Sequence, residues 1–75
     1  MTLREFVTKH LHDAQLISIW LLRGDGIFER ILRTEEVDST KRILKDDIMD
    51  MFVEKVITTA DFPHVIQIRI VPEEE

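Results

Sequence analysis

The chain has no cysteine, no tyrosine, only two glycines and two prolines, and no long apolar run. Without cysteine, neither a disulfide framework nor a thiolate metal site can hold a short chain together, so packing must do it. The longest mostly apolar stretch, Leu16 to Leu22, is interrupted by Ser18 and falls far short of the roughly 20 residues of a membrane helix. The N-terminal MTLREF lacks the basic and apolar regions of a signal peptide, so a cytoplasmic protein is expected. Aromatic residues are few, one tryptophan and four phenylalanines, which leaves thin platforms for stacking single-stranded bases.

What is present fits one small core. A chain of 75 residues, 44% apolar and 33% charged, is long enough for a single domain and too apolar for a disordered segment. Residues 1–72 are read as that domain, and 73–75 as an acidic C-terminal tail. The net charge of -5 is uneven: residues 1–34 carry five Lys or Arg against four acids, and residues 35–75 carry five against eleven. An acidic surface repels phosphate backbones, which makes nucleic acid an improbable partner and a basic protein surface a better one.

Thr2 followed three residues later by Glu5 fits a capping box, with Leu3, Phe6, Val7 and Leu11 on one face of a helix spanning about Thr2 to Leu11. LISIWLL reads as a strand apolar on both faces, suited to the middle of a sheet or a place beneath a helix. RGDG then signals a hairpin turn, and IFERIL a second strand nearer an edge. After the polar stretch RTEEVDSTKR, Ser39 or Thr40 could cap a second helix with Leu44, Ile48, Met51 and Phe52 on its inner face. VEKVITTA reads as a third strand and DFPH as a loop. VIQIRIV is the clearest strand, with Ile66, Ile68 and Ile70 on one face and Val65, Gln67, Arg69 and Val71 on the other. The expected fold class is α+β, a four-stranded antiparallel sheet with two short helices in the order α-β-β-α-β-β.

Motifs that carry chemistry are scarce. Arg23-Gly24-Asp25 would suggest an adhesion ligand in a secreted protein, but turn chemistry accounts for the same residues. His10 and His12 diverge on a helix, and with Asp13 and distant His64 they fall short of a spaced metal motif. No HExxH, GxSxG or phosphate-cradling glycine loop occurs, so neither an enzyme nor a cofactor is expected. Trp20 is expected to pack on the core or a sheet face, whereas an exposed Trp20 would mark an interface. Asp46, Asp47, Asp50 and Glu54, with Glu35 and Glu36 nearby in sequence, are the candidate partner-binding residues. They form either a solvated helix face or a negative docking stripe.

The segments LREFVTKHLHDAQLISIWLL and VEKVITTADFPHVIQIRIV, with a tryptophan near the end of the first strand, resemble small phage and prophage proteins of Firmicutes. The middle, RTEEVDSTKRILKDDIMDM, departs from that pattern. The resemblance implies an accessory protein of the bacterial host cytoplasm that binds and inhibits or modulates a host protein, anti-CRISPR proteins being one such class.

Three functional expectations follow. The first is an acidic, non-enzymatic inhibitor docking on a basic surface of a host protein, such as a CRISPR or other nucleic-acid-handling defence component. The second is a structural module that forms a homodimer or larger homo-oligomer through VIQIRIV at a sheet edge. The third is a nucleic-acid-binding protein using Arg23, Arg30 and Arg33 around the first hairpin.

Overall fold

The computed structural model describes residues 1–61 and 63–73. Helix α1 (Leu3–His10) is followed by strands β1 (Leu16–Gly24) and β2 (Ile27–Glu36). Helices α2 (Val37–Ile43) and α3 (Asp46–Met49) come next, then β3 (Phe52–Ile57) and β4 (Val65–Val71). The four strands form one sheet in the order β2-β1-β4-β3. The fold is α+β, as expected from the sequence, but it holds three helices rather than two, and the sheet is mixed rather than antiparallel. β1 pairs antiparallel with β2, and β3 antiparallel with β4, while β1 and β4 run parallel at the centre.

The physical reason for the mixed sheet lies in the connection between the hairpins. Parallel pairing needs a crossover segment, and α2 and α3 carry the chain over one face from the β2 edge to the β3 edge. The two strands that are apolar on one whole face and at least partly apolar on the other, LISIWLL and VIQIRIV, thereby take the central positions. β4 is therefore not an edge strand, and the homo-oligomer expected from pairing along VIQIRIV has no free edge there: β1 and β3 occupy both sides.

Each element has a local cause. Thr2 caps α1 in a full capping box, its hydroxyl accepting from the Glu5 amide and the Glu5 carboxylate accepting from the Thr2 amide, both at 3.1 Å. The Thr2 amide, and the Thr2 hydroxyl donating to the same carboxylate at 3.1 Å, favour its charged form and hold Glu5 below its usual value. At the first hairpin only Gly26 takes a positive φ, 76°, so the turn chemistry of Asp25-Gly26 rests on that one glycine. Arg23 of the RGD tripeptide is tied across this hairpin to Glu29 at 3.2 Å.

β2 extends through Glu36, well beyond IFERIL, because the polar RTEE segment pairs by backbone with the start of β1. Register shifts accompany that extension, and one of them places Leu32 opposite Ile19 on the buried face while Arg30 lies opposite Trp20 on the other. The expected second helix begins earlier, at Val37, and breaks after Ile43. Leu44 is extended there, and Phe52, assigned to the helix by its spacing, opens β3.

Leu3 and Val7 of α1, Val37 of α2 and Met49 of α3 pack in one cluster with Ile17, Ile19, Leu21, Leu32, Ile68 and Ile70. All three helices therefore cover the same face of the sheet. The N-terminal segment adds a short bridge to the outer edge of β3, with Val53 donating to the Met1 carbonyl at 2.9 Å and Leu3 donating to that of Met51 at 2.8 Å. Phe62 of the DFPH loop, and Glu74 and Glu75 of the acidic tail, lie outside the described residues.

Candidate functional site

The acidic residues singled out in the sequence do not form one surface. Asp46 opens α3 and Asp50 follows its last turn, and the two reach the same guanidinium: Arg4 of α1 donates to Asp46 at 3.0 Å and to Asp50 at 3.2 Å. The two hydrogen bonds, to Asp46 first and then Asp50, raise the Arg4 pKa further above its ordinary value. Asp46 remains 92% and Asp50 64% exposed, so this is a solvated ion-pair group clipping α1 to α3, of the kind that contributes little to stability. Asp47 accepts from the amide of Ile48 beside it at 3.0 Å.

Glu35 and Glu36 end β2, at the opposite edge of the sheet from β3, where Glu54 sits at an irregularity between Val53 and Lys55. Glu36 also serves α2, its carbonyl accepting from the buried Thr40 hydroxyl at 2.9 Å. The structure thus brings Asp46 and Asp50 together through Arg4 and separates Glu35 and Glu36 from Glu54.

The sheet face opposite the helices is different in kind. Cross-strand partners point to the same side of a sheet, and one row runs across all four strands: Arg30 of β2, Trp20 of β1, Arg69 of β4 and Lys55 of β3. Three cations and a tryptophan share that line. Arg69 and Lys55 stand directly opposite each other, an arrangement that costs stability because like charges repel.

None of the three cations is paired with a described carboxylate. Arg33 and Lys45 likewise have none, whereas Arg4, Lys9, Arg23, Lys41 and Arg42 have acidic partners within 2.8 to 3.8 Å. Two of the three row cations lie over aromatic rings instead, Arg30 at 4.9 Å from the centre of the Trp20 ring and Arg69 at 4.8 Å from that of Phe28.

Two shallow hollows flank the row. One, of about 280 Å³, is bounded by Trp20, Phe28, Ile57, Gln67 and Arg69 and by Gly26 at the hairpin tip, which comes into the same depression as Ile57 on the far strand. The other, of about 220 Å³, is bounded by Ser18, Arg30, Thr34, Val65 and Gln67. Among the described residues no acidic side chain lines either. Trp20 is half-buried, and its indole N–H is fully buried without an acceptor among the described residues, a situation that costs about 1–3 kcal/mol.

Sequence reasoning considered Arg30 only beside Arg23 and Arg33, and it did not consider Lys55 or Arg69 as site residues. The available signal was Gln67 and Arg69 alternating with isoleucines in the most strand-like segment of the chain. Polar residues on one face of a central strand mean that this face is not packed beneath a second layer.

His10, His12 and Asp13 do not converge, and among the described residues no group of three His, Asp or Glu side chains is placed to hold a metal ion. No described helix is long and apolar enough to cross a membrane. No family model, curated protein or solved structure matches this chain.

Proposed function

We propose that this domain is a non-catalytic binding module that docks a protein partner on the helix-free face of its sheet. The observation that carries the reading is the row Arg30–Trp20–Arg69–Lys55, where cations without acidic partners are set side by side at a cost in stability. Tryptophan and arginine are the residues most enriched among those that dominate binding energy, and here they meet at the centre of a face flanked by two hollows.

An accessory role in blocking or redirecting a host protein, such as a defence component that handles nucleic acid, suits a module of this size. The docking surface differs from the acidic stripe read from the sequence, because Asp46 and Asp50 already share Arg4.

The reading is tested by selecting a displayed random-peptide library on the immobilised domain. Enriched peptides should lose binding to Arg69→Glu and Lys55→Glu variants and keep it with Asp46→Lys and Asp50→Lys. The opposite pattern, binding lost only on the aspartate reversals, would return the function to the acidic stripe.

A further inference from the structure

The chemistry of the row narrows the partner, an argument that rests on the docking face proposed above. We infer that the occupant is a short acidic and apolar protein segment, its carboxylates lying across Arg30, Arg69 and Lys55 and an apolar side chain entering the hollow beside Trp20.

Adjacent strands are about 4.8 Å apart, so the row from β2 to β3 covers roughly 14 Å. That is the footprint of a few residues of extended chain. Within it Arg30 and Arg69 lie over aromatic rings. No described carboxylate engages their guanidinium groups, whose N–H donors match the carboxylates of a partner. A carboxylate placed between Arg69 and Lys55 would also relieve the mutual repulsion of these cross-strand partners. The larger hollow is partly apolar, bounded by Trp20, Phe28 and Ile57, and suits an aliphatic or aromatic anchor.

The same observations disfavour the other occupants. Two copies meeting through this face in a symmetric dimer would set cation row against cation row. Single-stranded nucleic acid needs open rings, and the Trp20 and Phe28 rings are each capped by a guanidinium. A strand of phosphates longer than the row would also run into the field of a chain carrying net -5.

Trp20 is the only tryptophan, so its fluorescence reports directly on the row. The probes are a synthetic peptide with glutamates set between leucine and phenylalanine, its glutamine and lysine counterparts, and oligo(dT). The glutamate peptide should change Trp20 emission at low ionic strength and bind about tenfold or more tightly than the glutamine peptide. That gap should shrink as salt is added. In a Lys55→Glu/Arg69→Glu variant that keeps the cooperative thermal melt of the parent chain, the preference should pass to the lysine peptide.

Equal binding of glutamate and glutamine peptides would overturn the acidic partner while leaving the docking face standing. Oligo(dT) binding that weakens steeply with salt, with no response to the glutamate peptide, would replace the protein segment by nucleic acid. If no probe alters Trp20 emission at millimolar concentration, the inference fails, and the peptide selection described above decides separately whether the face docks anything.

Discussion

Ile68 and Arg69 are neighbours in β4, yet they sit under opposite rules. Ile68 is fully buried in one apolar cluster with Ile17, Ile19 and Ile70. Arg69 faces the other way, opposite a second cation and over a ring, with no carboxylate to meet it. One side of the sheet is solved by packing, and the other is left chemically unsolved. A small domain has little stability to spare, and the like-charged pair on this row is the feature on which the proposed docking face rests.

The contrast can be broken most severely from the packed side. Ile68→Ala should cost about 2–5 kcal/mol, enough to unfold much of the population in urea titration, whereas Gln67→Ala one residue away should move the midpoint only slightly. If the two substitutions destabilised equally, the faces would not differ as described.

Trp20 sharpens the comparison at the next scale. Truncation by Trp20→Ala removes half-buried aromatic area and should cost about 2 kcal/mol. Trp20→Phe should cost less than about 1 kcal/mol, because the buried N–H without an acceptor leaves together with the indole. Thermal melts of the two variants check this, and a phenylalanine variant as damaged as the alanine one would mean the N–H has a partner.

Lys55→Glu should change the sign of the effect. Replacing a like-charged pair by an opposite one should stabilise the sheet by about 0.2–1 kcal/mol while weakening the glutamate peptide. A stabilising substitution that costs binding separates the demands of folding from those of recognition.

The smallest expected effect lies on the helix side, at the Thr2–Glu5 box. Glu5 titrates below its usual value in the folded chain because it is hydrogen-bonded to Thr2. Its contribution is therefore complete above the ordinary glutamate range and is lost as pH falls through the lowered folded value. Amide protection in the first turn of α1, taken relative to the intrinsic exchange rate at each pH, should fall over that acidic window, and in Glu5→Gln this fall should be absent.

The parts of the fold legible in the sequence are those fixed by local pattern. The capping box, the Gly26 turn, the central character of LISIWLL and the two faces of VIQIRIV all stand where their residues put them. Decisions made at long range were not legible. RTEE looks like a loop because its side chains are polar, yet it needs only its backbone to pair with β1. The spacing of Leu44, Ile48, Met51 and Phe52 suits one helix, but the chain spends those residues on a broken crossover and the start of a strand. The candidate site stayed hidden for the same reason. Trp20, Arg30, Lys55 and Arg69 come from four strands, and they form a row only once the parallel pairing of β1 with β4 is known.

That central parallel pairing also governs how the chain can be made. β1 leaves the ribosome early, but its partner β4 is the last of the described elements to emerge, and Gln15 cannot reach the His64 carbonyl until 49 further residues have followed it. Until then the first hairpin is a nascent fragment with its inner strand unpaired on one side, in need of shelter from other nascent chains. Pairing β1 with β4 closes a loop most of the length of the chain, which slows folding. A chain cut before residue 65 would lack β4 and leave β1 and β3 each without the partner that joins the two halves of the sheet.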